Sequence, residues 1–457
     1  MSFKPLSGPV HTGALPPLIA PQTVSPIPIR LYYHSVAGSS ANSRVRLTAG
    51  FQLFLKTFYS VDSPLLILIH HLSLHDIPES VYAAVPPDFL DRTLSQCKNL
   101  QHLDLSPGFL ISYRHISAVK TFHAQLTTLS LAGVQAFSPI TLPEFLSLFP
   151  NLRRLDLSGT SGVSPTLFDS LPTLQSLTSL RLRHQPYKIT DSTILQLAKD
   201  LGSNLADLDL SFAGKSITDA SILALEEFTQ AKPPEYSSQA QPVDIGPGPR
   251  ALGIAYTSIP IASISRLLRS DMIHLVALDV AGVPNVPNSS VEFWESLRQG
   301  GSLRTLEKLR VDFALFAANA GFNITPLPPL LTEFTLHNVP SIESSPPRVT
   351  RTLTMLLTDL KGGEQSSQMR VLNLEMAPKE DEQMLGMYAI EEVDTGDEID
   401  VVEEIKRWKR KLASDRVWDG QIRVMRDVVG IREYAQEFTS GVGEVLPRWD
   451  FDGLSSF

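Results

Sequence analysis

Along most of the chain, apolar residues recur as Leu-x-x-Leu-x-Leu, with the last three positions alternating apolar and polar as in a short strand that has one buried face. Clear copies are Leu100/Leu103/Leu105, Leu126/Leu129/Leu131, Leu152/Leu155/Leu157, Leu177/Leu180/Leu182 and Leu205/Leu208/Leu210. Looser copies are Ile69/Leu72/Leu74, Leu275/Leu278/Val280, Leu306/Leu309/Val311, Leu331/Phe334/Leu336 and Met369/Leu372/Leu374, and Leu252 with Ile254 forms a degraded one. The last apolar residues of successive copies lie 25 to 31 residues apart, except for two gaps of 44 and 38. Between the strands run segments of helical spacing, including Ile189 to Leu201, Ile217 to Phe228 and Ile261 to Met272. Thr190, Thr218 and Ser290 stand where a side-chain oxygen would cap a helix start, and Asp191 and Asp219 follow with favourable charge. The pattern predicts about eleven strand-plus-helix units.

The copies CKNLQHLDLS at 97–106, NLRRLDLSGT at 151–160 and NLADLDLSFAGKSITD at 204–219 resemble leucine-rich repeats of the ribonuclease-inhibitor-like type, the type found in F-box proteins. The resemblance implies an α/β solenoid with a curved parallel sheet on its concave face, helices on its convex face and no catalytic chemistry. The sequence departs from the family pattern in three places. The Asn or Cys that usually closes the strand turn is replaced by Gly108, Val134, Thr160, Ala213 and Val283, so the ladder of side-chain to backbone bonds is expected to be missing. The 44-residue gap holds 231–249, a stretch with five prolines that reads as an exposed inserted loop. No F-box is recognisable upstream of residue 65.

The remaining segments differ in composition. Residues 1–64 read as a Pro-rich leader and N-terminal cap: the first 61 residues contain no Asp or Glu and carry seven prolines between Pro5 and Pro28. An acid-free start also fits an organelle transit peptide, but prolines at that density oppose the amphipathic helix such a signal needs. After the solenoid at 65–376, residues 377–404 form an acidic, solvated stretch, with eleven acids and one lysine between Lys379 and Glu404. Residues 405–457 read as a helical cap. They open on the cations Lys406, Arg407, Lys409, Arg410 and Lys411 around Trp408, which fit either a nuclear-localisation cluster or a solvated helix over 401–413. The apolar positions of Val417 to Phe438 then read as cover for the last repeat.

Composition narrows the function. A net charge of −9 disfavours a general nucleic-acid binder, and no apolar run approaches a membrane span of about 20 residues. A single cysteine, Cys97, favours a reducing compartment, and its place in CKNL matches a small buried residue ending a helix. The expected address is intracellular, cytoplasmic or nuclear, with a mitochondrial one disfavoured. No phosphate-binding loop, G-x-S-x-G elbow or H-E-x-x-H zinc motif occurs, and His70, His71 and His75 cannot all face one side of a strand. The chain is therefore expected to be no enzyme, with no catalytic, cofactor or metal residues and no small-molecule substrate.

What remains is the row of polar positions between the strand leucines, expected to face solvent on the concave side. A partner protein is expected to bind there through Asp104, Arg154, Asp156, Arg181, Arg183, Asp209, Asp279 and Arg310. Strands about 4.8 Å apart would gather Arg154, Arg181 and Arg183 into a basic patch that pairs with a partner's carboxylates. The plainer alternative is an ordinary charged surface with internal Arg/Asp pairs. The resemblance adds a second role, the substrate-recognition subunit of a ubiquitin ligase; an enzyme with a dispersed active site is the third. For the inserted loop, deletion of Lys232 to Gly248 is expected to move the melting temperature little, because shortening a flexible loop changes closure entropy slightly. A large fall in a thermal melt would show that the segment packs.

Overall fold

The computed structural model describes residues 85–339 except 107–110, 186–188, 202–203, 215, 231–249, 270–274, 285–288 and 320–326. It also describes 27–29, parts of 55–74 and 352–356, 371–376 and 421–426. Its strands are β1 Ile27–Ile29, β2 Ile69–Ser73, β3 His102–Asp104, β4 Thr128–Ser130, β5 Arg154–Asp156, β6 Ser179–Arg181, β7 Asp207–Asp209, β8 Ala251–Gly253, β9 Ala277–Asp279, β10 Lys308–Asp312, β11 Glu333–Val339, β12 Val371–Met376 and β13 Gln421–Arg426. All thirteen pair in parallel, in chain order, within one sheet. Sequential parallel strands need a crossover between them, and the inter-strand segments supply it.

Each of the eleven expected repeats contributes one strand, β2 to β12. The middle apolar residues pair in a single column, Leu72, Leu103, Leu129, Leu155, Leu180, Leu208, Leu252, Leu278, Leu309, Phe334 and Leu372. None of these is more than 2% exposed. The degraded Leu252/Ile254 copy is in register with the rest.

The helices are α1 Phe89–Gln96, α2 Tyr113–Ala118, α3 Thr141–Leu146, α4 Pro165–Ser170, α5 Asp191–Leu201, α6 Asp219–Gln230, α7 Ile261–Leu268, α8 Ser289–Gln299 and α9 Phe313–Asn319. They bury one stripe each against the strand leucines, as Ile261, Ile264, Leu267 and Leu268 do in α7, and the whole forms one continuous core. Cys97 caps the end of α1 in that core, and burial pushes its thiol pKa up to about 12. Repeats are also joined at their helix starts. The Asp191 carboxylate accepts bonds from the Thr218 backbone N–H and hydroxyl, both at 2.7 Å, and from Ser221 Oγ, so it holds the entry of the following helix. Asp91, in the first turn of α1, instead accepts from Lys120 N–H and Thr121 N–H just past the end of α2. Thr218 caps Ala220 N–H at 3.4 Å, whereas Ser290, expected as a cap, is already the second residue of α8.

Two residues past the last strand leucine, the backbone turns left-handed in most repeats. Gly133, Gly159 and Gly282 supply this where a side chain would be strained, but His184, Phe212, Tyr256 and Asn338 also adopt φ between 49° and 57°. The next residue is the family's Asn or Cys position; the expected loss of its bond ladder holds at Val134, Ala213 and Val283, whose side chains carry no donor, but not at Thr160, and Gly108 lies outside the described residues. The Thr160 hydroxyl donates to Leu131 O at 2.7 Å and Gln185 Nε2 donates to Leu157 O at 2.6 Å, so shorter and longer polar side chains do the work of asparagine in these repeats.

The sheet also runs past the expected bounds of 65–376. β1 lies within the leader and pairs with β2; β13 lies in the segment expected as a helical cap and pairs with β12 over Val371↔Gln421 to Met376↔Arg426. Apolar and polar residues alternate at the start of QIRVMR with a period of two, which a strand uses and a helix does not. The inserted loop at 231–249, the acidic stretch and the 401–413 helix lie outside the described residues. Because Leu155 is 1% exposed in the central column, Leu155→Ala is expected to cost about 2–5 kcal/mol, measured by urea unfolding. An unchanged midpoint would contradict the register.

Candidate functional site

Opposite the leucine column, the polar positions form a second column: Ser73, Asp104, Ser130, Asp156, Arg181, Asp209, Gly253, Asp279, Arg310, Thr335 and Asn373. Its aspartates share one local task. Asp104, Asp156, Asp209 and Asp279 each accept a bond through Oδ1 from the backbone N–H two residues on, at Ser106, Ser158, Ser211 and Ala281, over 2.9–3.2 Å. The aspartate thus closes the strand end as an Asx turn, in Asp-Leu-Ser three times and in Asp-Val-Ala once, which satisfies an N–H that the ladder leaves unpaired.

The second carboxylate oxygen meets a neighbouring repeat. Asp104 accepts from Ser73 Oγ at 3.0 Å, Asp156 faces Arg181 at 3.9 Å and Asp209 faces Arg183 at 3.4 Å. Arg154 sits in the flanking column, in register with Ser179. The three arginines therefore alternate with aspartates, and the expected basic patch is a strip of mixed sign. Column position also does not guarantee exposure. Asp209, Asp279 and Arg310, expected to face solvent, are buried, at 4%, 3% and 8%. Asp209 leans over β8, where a Cβ on Gly253 would collide with its carboxylate, so the glycine makes room for the acid. Asp104, Arg154, Asp156, Arg181 and Arg183 remain partly exposed.

Burial has drawn the far end of the column into an ionic network. The Arg310 guanidinium reaches Asp279 at 3.1 Å and Glu375 at 2.6 Å; Glu375 in turn accepts from His337 Nδ1 at 2.6 Å, and His337 Nε2 meets the Tyr256 hydroxyl. Asp312 lies beside it and accepts from Gly282 N–H at 2.8 Å. Burial pushes Glu375 up, but the Arg310 charge and the bonds from His337 and Arg310 outweigh this and hold it at about 2. Around Asp312 burial wins and its carboxyl is raised. Sequence reasoning found Asp279 and Arg310 and missed Tyr256, His337 and Glu375. For the last two a signal existed: they stand two residues beyond Thr335 and Asn373 in unusually long strands, hence on the same side.

At the rim above, His184, Phe212 and Tyr256 occupy the left-handed position in consecutive repeats, and their rings stack at centroid distances of 4.2 Å. Burial and the neighbouring Arg183 charge lower the His184 pKa to about 4, so this ring is neutral at physiological pH. Among the described residues no group of three or more His, Cys, Asp or Glu is placed to hold a metal ion. His71, the middle of the expected histidine cluster, stacks on His102 at 4.0 Å.

One parallel strand per repeat, a single leucine column and a helix-covered core define a leucine-rich-repeat solenoid. No protein-family model matches the sequence, and no curated protein matches it significantly. Among solved structures, the chain is similar to an internalin (inlF) from Listeria monocytogenes, at 14% identity and a TM-score of 0.32, over 73% of this chain and 90% of that one. It is also similar to a chain of the Rad7 and Elc1 complex in yeast, at 17% identity and a TM-score of 0.36, over 74% and 94%. The repeat class rests on the strand order and register, not on these alignments. Among the described residues no helix is long and apolar enough to cross a membrane.

Glu375 sits below its ordinary carboxyl value of 4.5, so its ionised form stabilises the fold above that value, and the contribution is lost as pH falls towards 2. Glu375→Gln is expected to lower stability at neutral pH by about 3 kcal/mol, with the deficit shrinking between pH 4.5 and 2. Urea unfolding across that range checks this; a deficit independent of pH would place the loss in packing.

Proposed function

We propose that the chain is a non-catalytic scaffold that holds a partner protein against the sheet face opposite its helices. The observation that carries this is the strip from β3 to β6. There Asp104, Arg154, Asp156, Arg181 and Arg183 are held at strand spacing by an invariant register and stay partly exposed. Rigid elements present these groups with little conformational freedom left to lose, which favours recognition by a broad surface with a few anchors. The paired arginines and aspartates suit a partner surface of alternating sign rather than a uniformly acidic one. A net charge of −9 supports a protein rather than nucleic acid as partner, and the single buried Cys97 supports an intracellular setting.

A ribonuclease-inhibitor-like repeat class, and with it a substrate receptor of a ubiquitin ligase, is the second reading. It is supported by the Leu-Asp-Leu-Ser copies at 103–106, 155–158 and 208–211. The two readings share the binding face and differ in whether residues 1–64 engage a ligase adaptor.

The test is an affinity purification comparing the intact protein with a folded Arg154/Arg181/Arg183→Glu variant. Loss of a reproducible partner with the variant is expected. Retention of every partner would place binding elsewhere on the chain and sink the assignment to this strip.

A further inference from the structure

The Tyr256, His337 and Glu375 side chains form a relay that a packing role does not require. Glu375 is held ionised by Arg310 and can only accept, and its 2.6 Å approach to His337 Nδ1, shorter than the 3.2 Å approach of the Arg310 Nη2 donor, places the shared proton on Nδ1. With Nδ1 protonated, neutral His337 presents the Nε2 lone pair to the Tyr256 hydroxyl. A hydroxyl against an imidazole that a carboxylate orients is the arrangement that activates a nucleophile. We propose that Tyr256 carries a base-activated hydroxyl and is a covalent modification site for sulfonyl or acyl electrophiles, with His337 as the proton acceptor. The proposal goes beyond the scaffold reading and stands independently of it.

Three features support it. The ring is fixed: it stacks on Phe212 at 4.2 Å and lies across Gly282, where a Cβ would collide with it, so the hydroxyl is held against the base without an ordering step. The imidazole is oriented: Glu375 holds Nδ1 at 2.6 Å, which leaves Nε2 facing the Tyr256 hydroxyl. Tyr256 is half-buried while His337 is fully buried, so the tyrosine is the more accessible of the two.

With an arylsulfonyl fluoride the step balances as follows. Tyr256 Oη attacks sulfur; the O–S bond forms as the S–F bond breaks and fluoride leaves to solvent. The phenolic proton passes to His337 Nε2, and the imidazolium so formed is held against the Glu375 carboxylate.

The experiment treats the folded full chain with limiting arylsulfonyl fluoride and maps labelled tyrosines by mass spectrometry. Tyr113, which is 60% exposed, serves as the internal reference. Accessibility alone predicts that Tyr113 reacts first. Activation predicts that Tyr256 reacts faster by about tenfold or more, and that the two rates converge in urea. Equal or faster labelling of Tyr113 in the folded chain would overturn the proposal. His337→Gln should bring the Tyr256 rate down to that of Tyr113; a thermal melt shows whether this variant folds, and if it does not, the wild-type ratio decides.

Discussion

No repeat of this protein can bury its own leucines. Each contributes one strand residue in the central column, the described helices add one to four buried apolar positions, and these are removed from water only when the next repeat stacks on them. That constraint sets the register of β2 through β12. A slip of one residue would turn a column from Leu72 to Leu372 outward and place aspartates and arginines in the core. The same constraint leaves both ends of the solenoid short of a neighbour, and β1 and β13 fill those places in the sheet.

Once the register is set, the polar positions acquire work that follows from neighbours rather than from their own chemistry. Asp104, Asp156, Asp209 and Asp279 stand at one repeat position and all close an Asx turn, yet only the last two are buried. The difference lies in what faces them: Ser73 and Arg181 beside Asp104 and Asp156, against Arg183 and Arg310 where Tyr256, His337 and Glu375 close over the sheet. One column is therefore divided into a partly open strip over β3 to β6 and an internal ionic network over β9 to β12. The strip suits recognition because its charges retain some contact with water; the network is committed to internal bonds, apart from the one tyrosine at its rim.

Cross-repeat polar contacts add a third element of cohesion. Asp191 binding Thr218 and Ser221, Asp91 binding Thr121, and Thr160 and Gln185 reaching back to Leu131 and Leu157 each satisfy backbone or hydroxyl groups one repeat away. The turn residues differ from the family's asparagine, but the unpaired carbonyls they must satisfy are the same.

The sequence by itself determined the eleven strands, their spacing, the helical face of segments such as Ile261–Leu268 and the burial of Cys97. These depend on local periodicity, which a 27-residue repeat displays copy after copy. It also named the open-face residues one by one, because alternation along a strand decides facing. Only the tertiary structure decided which of them reach water, since Asp209, Asp279 and Arg310 are covered by residues up to 65 positions away in the chain. The pairing of Tyr256 with His337 spans 81 positions and has no sequence period to announce it. Periodicity records what every repeat must do; the site arises where particular repeats do something different.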